Sequence, residues 1–260
     1  MTSLDLFKLD GKTAVVTGGS KGIGLYYSEA LVQAGARVVV ADIDPKAVKE
    51  TCARLGGDKG DKVLGVDLDV TRRDSVRAMM RRVEERWGRL DILVNNAGLF
   101  TVLPPRADPW DIPDEEWDRV MAVNIRGIYT CTAEALPLMR RNPWGRVINI
   151  SSGLAFKGSP PLIHYAASKG AVVNLTRSMA RALGNTGITV NSLAPGATAS
   201  PTLLAIRPDG DATGQGRPAR IIERTEVPED LIGALLFLAS PASDFMTGQT
   251  IVVDGGSYLH

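Results

Sequence analysis

The sequence predicts an α/β fold: a doubly wound parallel sheet of about seven strands with helices on both faces. Three observations predict it. Short β-branched runs recur along the chain: TAVVT (13–17), RVVVAD (37–42), KVLGVD (62–67), LDILVN (90–95), GRVINI (145–150), ITVNSLAP (188–195) and QTIVVD (249–254). They are apolar throughout rather than alternating, which suits strands covered on both faces. Longer segments of helical period separate them, and this alternation calls for right-handed βαβ crossovers. Across 260 residues there is no internal repeat and no linker composition, so one domain, residues 1–260, accommodates the whole pattern.

The first run leads straight into TGGSKGIG. Gly18, Gly22 and Gly24 allow a tight turn and close approach of a pyrophosphate to the backbone, and the helix opening there offers free N–H groups and a positive dipole end. The spacing is G-x-x-x-G-x-G, and its strand–turn–helix setting makes it a Rossmann-type dinucleotide turn that includes Ser20, Lys21 and Ile23. The second run closes on Asp42, 18 residues beyond Gly24, followed by Ile43. An acidic residue there accepts hydrogen bonds from the adenosine ribose and repels a 2′-phosphate. Lys21 pulls the other way, because a cation in the turn can pair with that phosphate. Asp42 decides the expectation: NAD rather than NADP.

Asp44-Pro45 reads as an N-cap with proline at the first helical position. Thr71-x-x-Asp74 reads as a capping box, and Gly88 ends the helix that follows. Long helices are expected around 114–141 and 163–184. Residues 198–225 are rich in Gly, Pro and small polar residues and interrupt the rhythm, which reads as a mobile lid. Residues 10–150 form the cofactor half of the domain and 151–260 the catalytic and substrate half.

Composition narrows the partners. Hydrophobic content is 44%, charged content 23% and the formal net charge +1, which argues against nucleic-acid binding driven by bulk charge. There is no run of 18 or more apolar residues and no basic start followed by an apolar stretch, so neither a membrane span nor a signal peptide is expected. Cys52 and Cys131 lack a pairing pattern and suit a reducing cytoplasm, while His164 and His260 are too few for a zinc site.

Further motifs carry a resemblance that spans nearly the whole chain. TGGSKGIG, DV at Asp69-Val70, NNAG at 95–98, VNIRG around Asn124, INISS ending at Ser152, YAASK from Tyr165 to Lys169, APGATAS and GQTIVVDGG occur in that order. Together they resemble the classical short-chain dehydrogenases/reductases. The resemblance implies hydride transfer with a nicotinamide cofactor. It places Asp69 and Val70 at the adenine, with Asn96, Ala97 and Gly98 bordering the cofactor. Pro195 and Gly196 fall on the nicotinamide side, where Thr198, Ser200 or both contact the carboxamide; Ser200 stands where threonine is common. Lys169 binds the nicotinamide ribose, Ser152 holds the substrate oxygen and Asn124 binds a water that links Lys169 to solvent. Ser151 is the rival for the serine role, although Ser152 lies at the usual distance of 13 before Tyr165. The family's habit implies a homotetramer built through the long helices and the last strand.

The residues themselves give the chemistry of YAASK. Positions i and i+4 share a helix face, so Lys169 can act on Tyr165. A free phenol titrates at about 10, too high for a good base near neutrality. A unit charge about 4 Å away contributes roughly 4 kcal/mol at an effective dielectric near 20, enough to lower the phenol by up to roughly three pH units. Tyr165 is thus the expected acid/base, its phenol lowered by Lys169 with help from the positive charge of an oxidised nicotinamide. His164 beside it is expected to be a structural or pocket-wall residue, with a second base as the alternative. The substrate pocket is expected to be walled by Leu99, Phe100, Leu154, Phe156, Leu162, Leu203 and Leu204, with no cation among them, which disfavours a bulky anionic substrate. DGGSYLH and NPWGRVIN are similar to bacterial dehydrogenases of aryl or cyclic secondary alcohols. The expected activity is therefore NAD-dependent interconversion of a secondary alcohol and a ketone. An NADPH-dependent 3-oxoacyl-carrier-protein reductase and a catalytically silent cofactor-sensing protein on the same fold are the alternatives.

Overall fold

A computed structural model describes residues 3–56, 61–100, 103, 108–206, 208 and 220–259. In chain order its main elements are β1 (Thr13–Thr17), α1 (Gly22–Gln33), β2 (Arg37–Asp42), α2 (Pro45–Arg54), β3 (Val63–Asp67), α3 (Arg73–Trp87) and β4 (Ile92–Asn95). There follow α4 (Asp114–Met121), a single π turn (Ala122–Arg126), α5 (Gly127–Met139), β5 (Gly145–Ile150), α6 (Leu154–Lys157) and α7 (Ile163–Ala182). The chain ends with β6 (Ile188–Pro195), α8 (Pro201–Ile206), α9 (Ile232–Ala239) and β7 (Thr250–Val253). The strands form one parallel sheet in the order β3-β2-β1-β4-β5-β6-β7.

Alternate side chains along each strand enter opposite cores, which explains why the strands are apolar throughout. Val15, Val39, Leu93, Val147 and Val190 meet α3 and α5 through Val76, Met79, Ala135 and Met139. Val16, Val38, Val40, Val94 and Ile148 meet α1 and α9 through Tyr27, Leu31, Leu235 and Leu238. The sheet is doubly wound because both faces must be covered. A buried polar ladder ties its centre: Asn95 Nδ2 donates to Asn149 Oδ1 (2.9 Å) and Thr132 Oγ1 (3.1 Å), and Asn149 Nδ2 donates to Thr176 Oγ1 (3.0 Å).

Most boundaries follow the local chemistry. Asp44 caps α2 by accepting from the N–H groups of Lys46 and Ala47, and Gly88 ends α3 at φ 67°. The expected capping box fails. Thr71 is not the cap of α3; its Oγ1 donates to Asp69 Oδ1 at 2.6 Å, and its backbone N–H donates to the same oxygen at 2.9 Å. The Asp69 carboxylate, two residues upstream, captures the hydroxyl first, an Asx-type turn competing with the helix start. The expected helix over 114–141 is one rod interrupted by the π turn that carries Asn124. The expected lid begins with α8; residues 207 and 209–219 lie outside the described residues. Among the described residues no helix is long and apolar enough to cross a membrane, and no three His, Cys, Asp or Glu side chains gather as metal ligands.

Candidate active site

The sheet order reverses between β1 and β4, and that switch point opens the crevice in which α/β sheets bind ligands. The glycine turn lies there and is held by the chain beyond β4. Asn96 Nδ2 donates to the carbonyls of Thr17 (3.1 Å) and Gly18 (2.9 Å), while the N–H groups of Asn96 and Ala97 donate to Thr17 Oγ1 (3.0 and 3.1 Å). A Cβ on Gly24 would lie 2.0 Å from the Gly18 carbonyl oxygen, so only glycine fits. Lys21, at the N-cap of α1, gives the helix no side-chain cap, leaving its first N–H groups for an anion. These residues fit a dinucleotide pyrophosphate.

One cavity of about 570 Å³ runs from this turn to Tyr165. Every cofactor residue expected from the sequence lines it except Ser20. Ser20 is buried behind the turn, its N–H donating to Asp42 Oδ2 (3.2 Å) and its carbonyl accepting from Thr51 (3.0 Å). That bond, with a longer one from the Asp44 N–H to Oδ1 (3.4 Å), orients the Asp42 carboxylate in the cavity wall. The Lys21 ammonium is ion-paired with Asp44.

Ser152 and Tyr165 both line the far end of the cavity, and Ser152 Oγ accepts from the Leu154 N–H (3.2 Å). Burial pushes the phenol up to about 12, and the nearby Ser152 hydroxyl opposes the shift. The expectation that Lys169 dominates the phenol's acidity is corrected here. The ammonium lies 5.7 Å from the ring centroid and donates to the Ile150 carbonyl at 2.8 Å, so desolvation of Tyr165 is the larger effect. Burial also lowers Lys169 itself to about 8. Ser151 lines the cavity too, but its hydroxyl donates to the Lys169 carbonyl (2.8 Å). Asn124 is fully buried behind the wall: Oδ1 accepts from the Leu99 N–H (2.8 Å) and Nδ2 donates to Ser168 Oγ (3.0 Å). His164 is buried with Nε2 3.1 Å from Glu116 Oε1, on the side of α7 that packs against α4. It does not line the cavity.

Of the expected substrate walls, Leu99, Phe100, Leu154 and Leu203 line the cavity. Phe156, Leu162 and Leu204 do not. Phe156 stacks on Tyr258 with centroids 5.1 Å apart, and Leu162 packs with Leu103 and Val120 beneath Tyr165. Leu204 faces solvent, because a helical step of about 100° from the buried Leu203 turns it outward.

Glu226, Lys157 and Ser257 contribute to the site without a local signal in the sequence. Thr198 Oγ1 donates to Oε1 of buried Glu226 (2.6 Å), whose carboxyl is raised above its ordinary range by burial, so Thr198 turns its hydroxyl proton away from the cavity. Ser200 Oγ instead accepts from the Leu203 N–H (3.3 Å) at the start of α8. Lys157 and Ser257 line the substrate end, so the expectation of a pocket without a cation is also corrected. Nothing local marks these residues: Glu226 sits in the charged loop RTEVPED, and Ser257 is brought in from beyond β7.

The family model described as enoyl-(acyl carrier protein) reductase matches residues 18–258. The sorbitol dehydrogenase of Cereibacter sphaeroides is 36% identical over 97% of this chain and 99% of its own. The cis-4-hydroxycyclohexanecarboxylate dehydrogenase of Sinomonas cyclohexanicum is 38% identical over 94% and 96%. A crystal structure of 3-ketoacyl-(acyl-carrier-protein) reductase from Brucella melitensis complexed with NADH superposes with a TM-score of 0.86 at 31% identity, covering 97% of this chain and 100% of that one. Likeness of this extent, on a site with this geometry, places the chain in the classical short-chain dehydrogenase/reductase family of oxidoreductases, which bind a nicotinamide cofactor.

Proposed function

We propose that the protein interconverts a secondary alcohol and its ketone with NAD(H). The observation that carries this reading is the convergence of Ser152, Tyr165 and Lys169 in the same cavity as the glycine turn and Asp42. A bound nicotinamide would supply or accept the hydride. The phenol, protonated at neutral pH, donates to the ketone oxygen in reduction and takes the proton back in oxidation. Ser152 hydrogen-bonds the same oxygen and stabilises the charge that develops there. Lys169 would hold the ribose of a bound cofactor, and Thr198, with its proton directed to Glu226, would offer lone pairs to the carboxamide N–H. Asn124 fixes the Leu99 backbone at the edge of the pocket and, through Ser168, the start of α7. Four apolar walls suit a ring or short chain. The test is a panel of alcohols and ketones with both cofactors, followed by absorbance of the reduced nicotinamide. Turnover of carrier-bound 3-oxoacyl substrates in preference to free ketones would favour the reductase activity named for the Brucella protein.

NAD is the proposed cofactor, since Asp42 stands at the ribose end and Lys21 is engaged by Asp44. NAD is expected to bind at least about tenfold more tightly than NADP, a difference of about 1.4 kcal/mol. Asp42→Ala should narrow that gap in a fluorescence titration. Tighter binding of NADP by the unaltered protein refutes the assignment.

Thr202, Leu203 and Ile206 of α8 line the cavity, and we read this helix as the moving edge of a lid. Amide exchange in Pro201–Ile206 is expected to slow when cofactor and ketone bind together. Equal exchange in the free and ternary forms would make α8 a fixed wall. A homotetramer built through α4, α5, α7 and β7 is part of the same proposal, with light scattering as its check.

A further inference from the structure

We propose that Lys157 and Ser257 form a carboxylate subsite at the substrate end of the cavity, so that the substrate is a hydroxy acid or keto acid whose reacting carbon and carboxylate are separated by an apolar body. The proposal rests on reading this cavity as the alcohol/ketone site. Lys157 closes α6, five residues after Ser152, and Ser257 follows β7; both line the cavity. The two segments are braced by the stack of Phe156 on Tyr258 (5.1 Å, 19° between planes).

The chemistry follows from the direction of one hydrogen bond. Lys157 Nζ lies 2.8 Å from Ser257 Oγ. An ammonium has donors only, so the hydroxyl accepts and its own proton is directed elsewhere. The pair therefore presents the remaining ammonium N–H groups and one O–H, and two adjacent donors suit the two oxygens of a carboxylate. Asp254 makes no ion pair with Lys157. Asp254, which lines the same end, turns Oδ1 to the N–H groups of Gly256 (3.0 Å) and Ser257 (3.1 Å). No ion pair of Lys157 occurs among the described residues, whereas Lys21 at the opposite end is paired with Asp44. Leu99, Phe100, Leu154 and Leu203 form the apolar walls of the same cavity, and Lys157 stands exposed at its edge.

The experiment compares kcat/KM for 4-hydroxycyclohexanecarboxylate and its methyl ester with NAD in the unaltered protein, Lys157→Met, Lys157→Arg and Ser257→Ala. The acid is expected to be preferred by about tenfold or more, the scale of a charge-assisted hydrogen bond. Lys157→Met should abolish the preference, Lys157→Arg retain it, Ser257→Ala reduce it, and high salt weaken it. A ratio within each variant discounts any general loss of fold. Oxidation of both compounds without preference for the acid, or a preference that survives Lys157→Met, overturns the subsite and leaves the alcohol reading intact. If neither compound is oxidised, calorimetric titration with cyclohexanecarboxylate separates the two ideas. Binding weakened about fivefold or more by Lys157→Met sustains the subsite while the alcohol reading falls; no such binding overturns the subsite as well.

Discussion

Tyr165→Phe is expected to remove nearly all turnover, by about 10²–10⁴-fold, the range contributed by a positioned acid/base. NAD affinity should stay within a few fold, since the ring keeps its packing against Phe100 (centroids 4.9 Å apart) and loses only the hydroxyl. The pH dependence carries a sign. With the phenol pushed up to about 12 by burial, the donor form prevails through neutral pH, so ketone reduction should be flat there. Alcohol oxidation needs the proton accepted and should rise with pH, with an apparent pKa that belongs to the coupled Ser152–Tyr165–Lys169 site. A Tyr165→Phe variant that keeps a tenth of native activity would move the acid/base elsewhere. His164 does not offer a ready substitute, because its ring faces Glu116 on the far side of α7.

Lys169→Met should have the second largest effect, and it should act in opposite directions on activity and stability. Turnover and NAD affinity should both fall, by about tenfold or more for affinity, because one ammonium serves the ribose and the catalytic site. The ligand-free protein, by contrast, should gain on the order of 1 kcal/mol at pH 7. Burial lowers Lys169 from 10.5 to about 8. Below pH 8 the folded state carries a disfavoured charge in full; between about 8 and 10.5 the unfolded chain binds more protons, so stability rises with pH across that window. Methionine removes the charge, and the loss of the donor to the Ile150 carbonyl offsets part of the gain. Thermal melts at pH 7 and 9.5 test this. A melting point lowered by several degrees, with NAD affinity unchanged, would mean that Lys169 is a structural residue.

What was legible in the sequence was whatever chemistry lies close along the chain. The strands, the glycine turn, the Asp44 cap and the Tyr165–Lys169 spacing are all set within a few residues and stand where expected. The Tyr165–Lys169 spacing gives a separation but not burial, and burial is the larger effect on the phenol. Thr71 failed as a cap because a competing carboxylate sat two residues away. Phe156, Leu162 and Leu204 lie near the motifs in the sequence, yet the face each presents is fixed by partners elsewhere: Tyr258, Val120 and solvent. Glu226, Lys157 and Ser257 could not be read at all, since Glu226 meets Thr198 across 28 positions and Lys157 meets Ser257 across 100.

The grip of Asn96 on Gly18 has a temporal consequence. The two residues are 78 positions apart, as are the paired Ala14 and Ile92 of β1 and β4. At a synthesis rate of roughly 5–20 residues per second, β1 leaves the ribosome roughly 4–16 s before its neighbour exists. For that interval its future inner edge is unpaired and the glycine turn has no opposite wall. Long-range parallel pairing is also slow to form, because chain closure precedes any reward from contact. A nascent chain that stops short of residue 96 therefore holds strands and helices but no crevice, and the ability to hold a dinucleotide arrives late and all at once, with the closing of the sheet's centre.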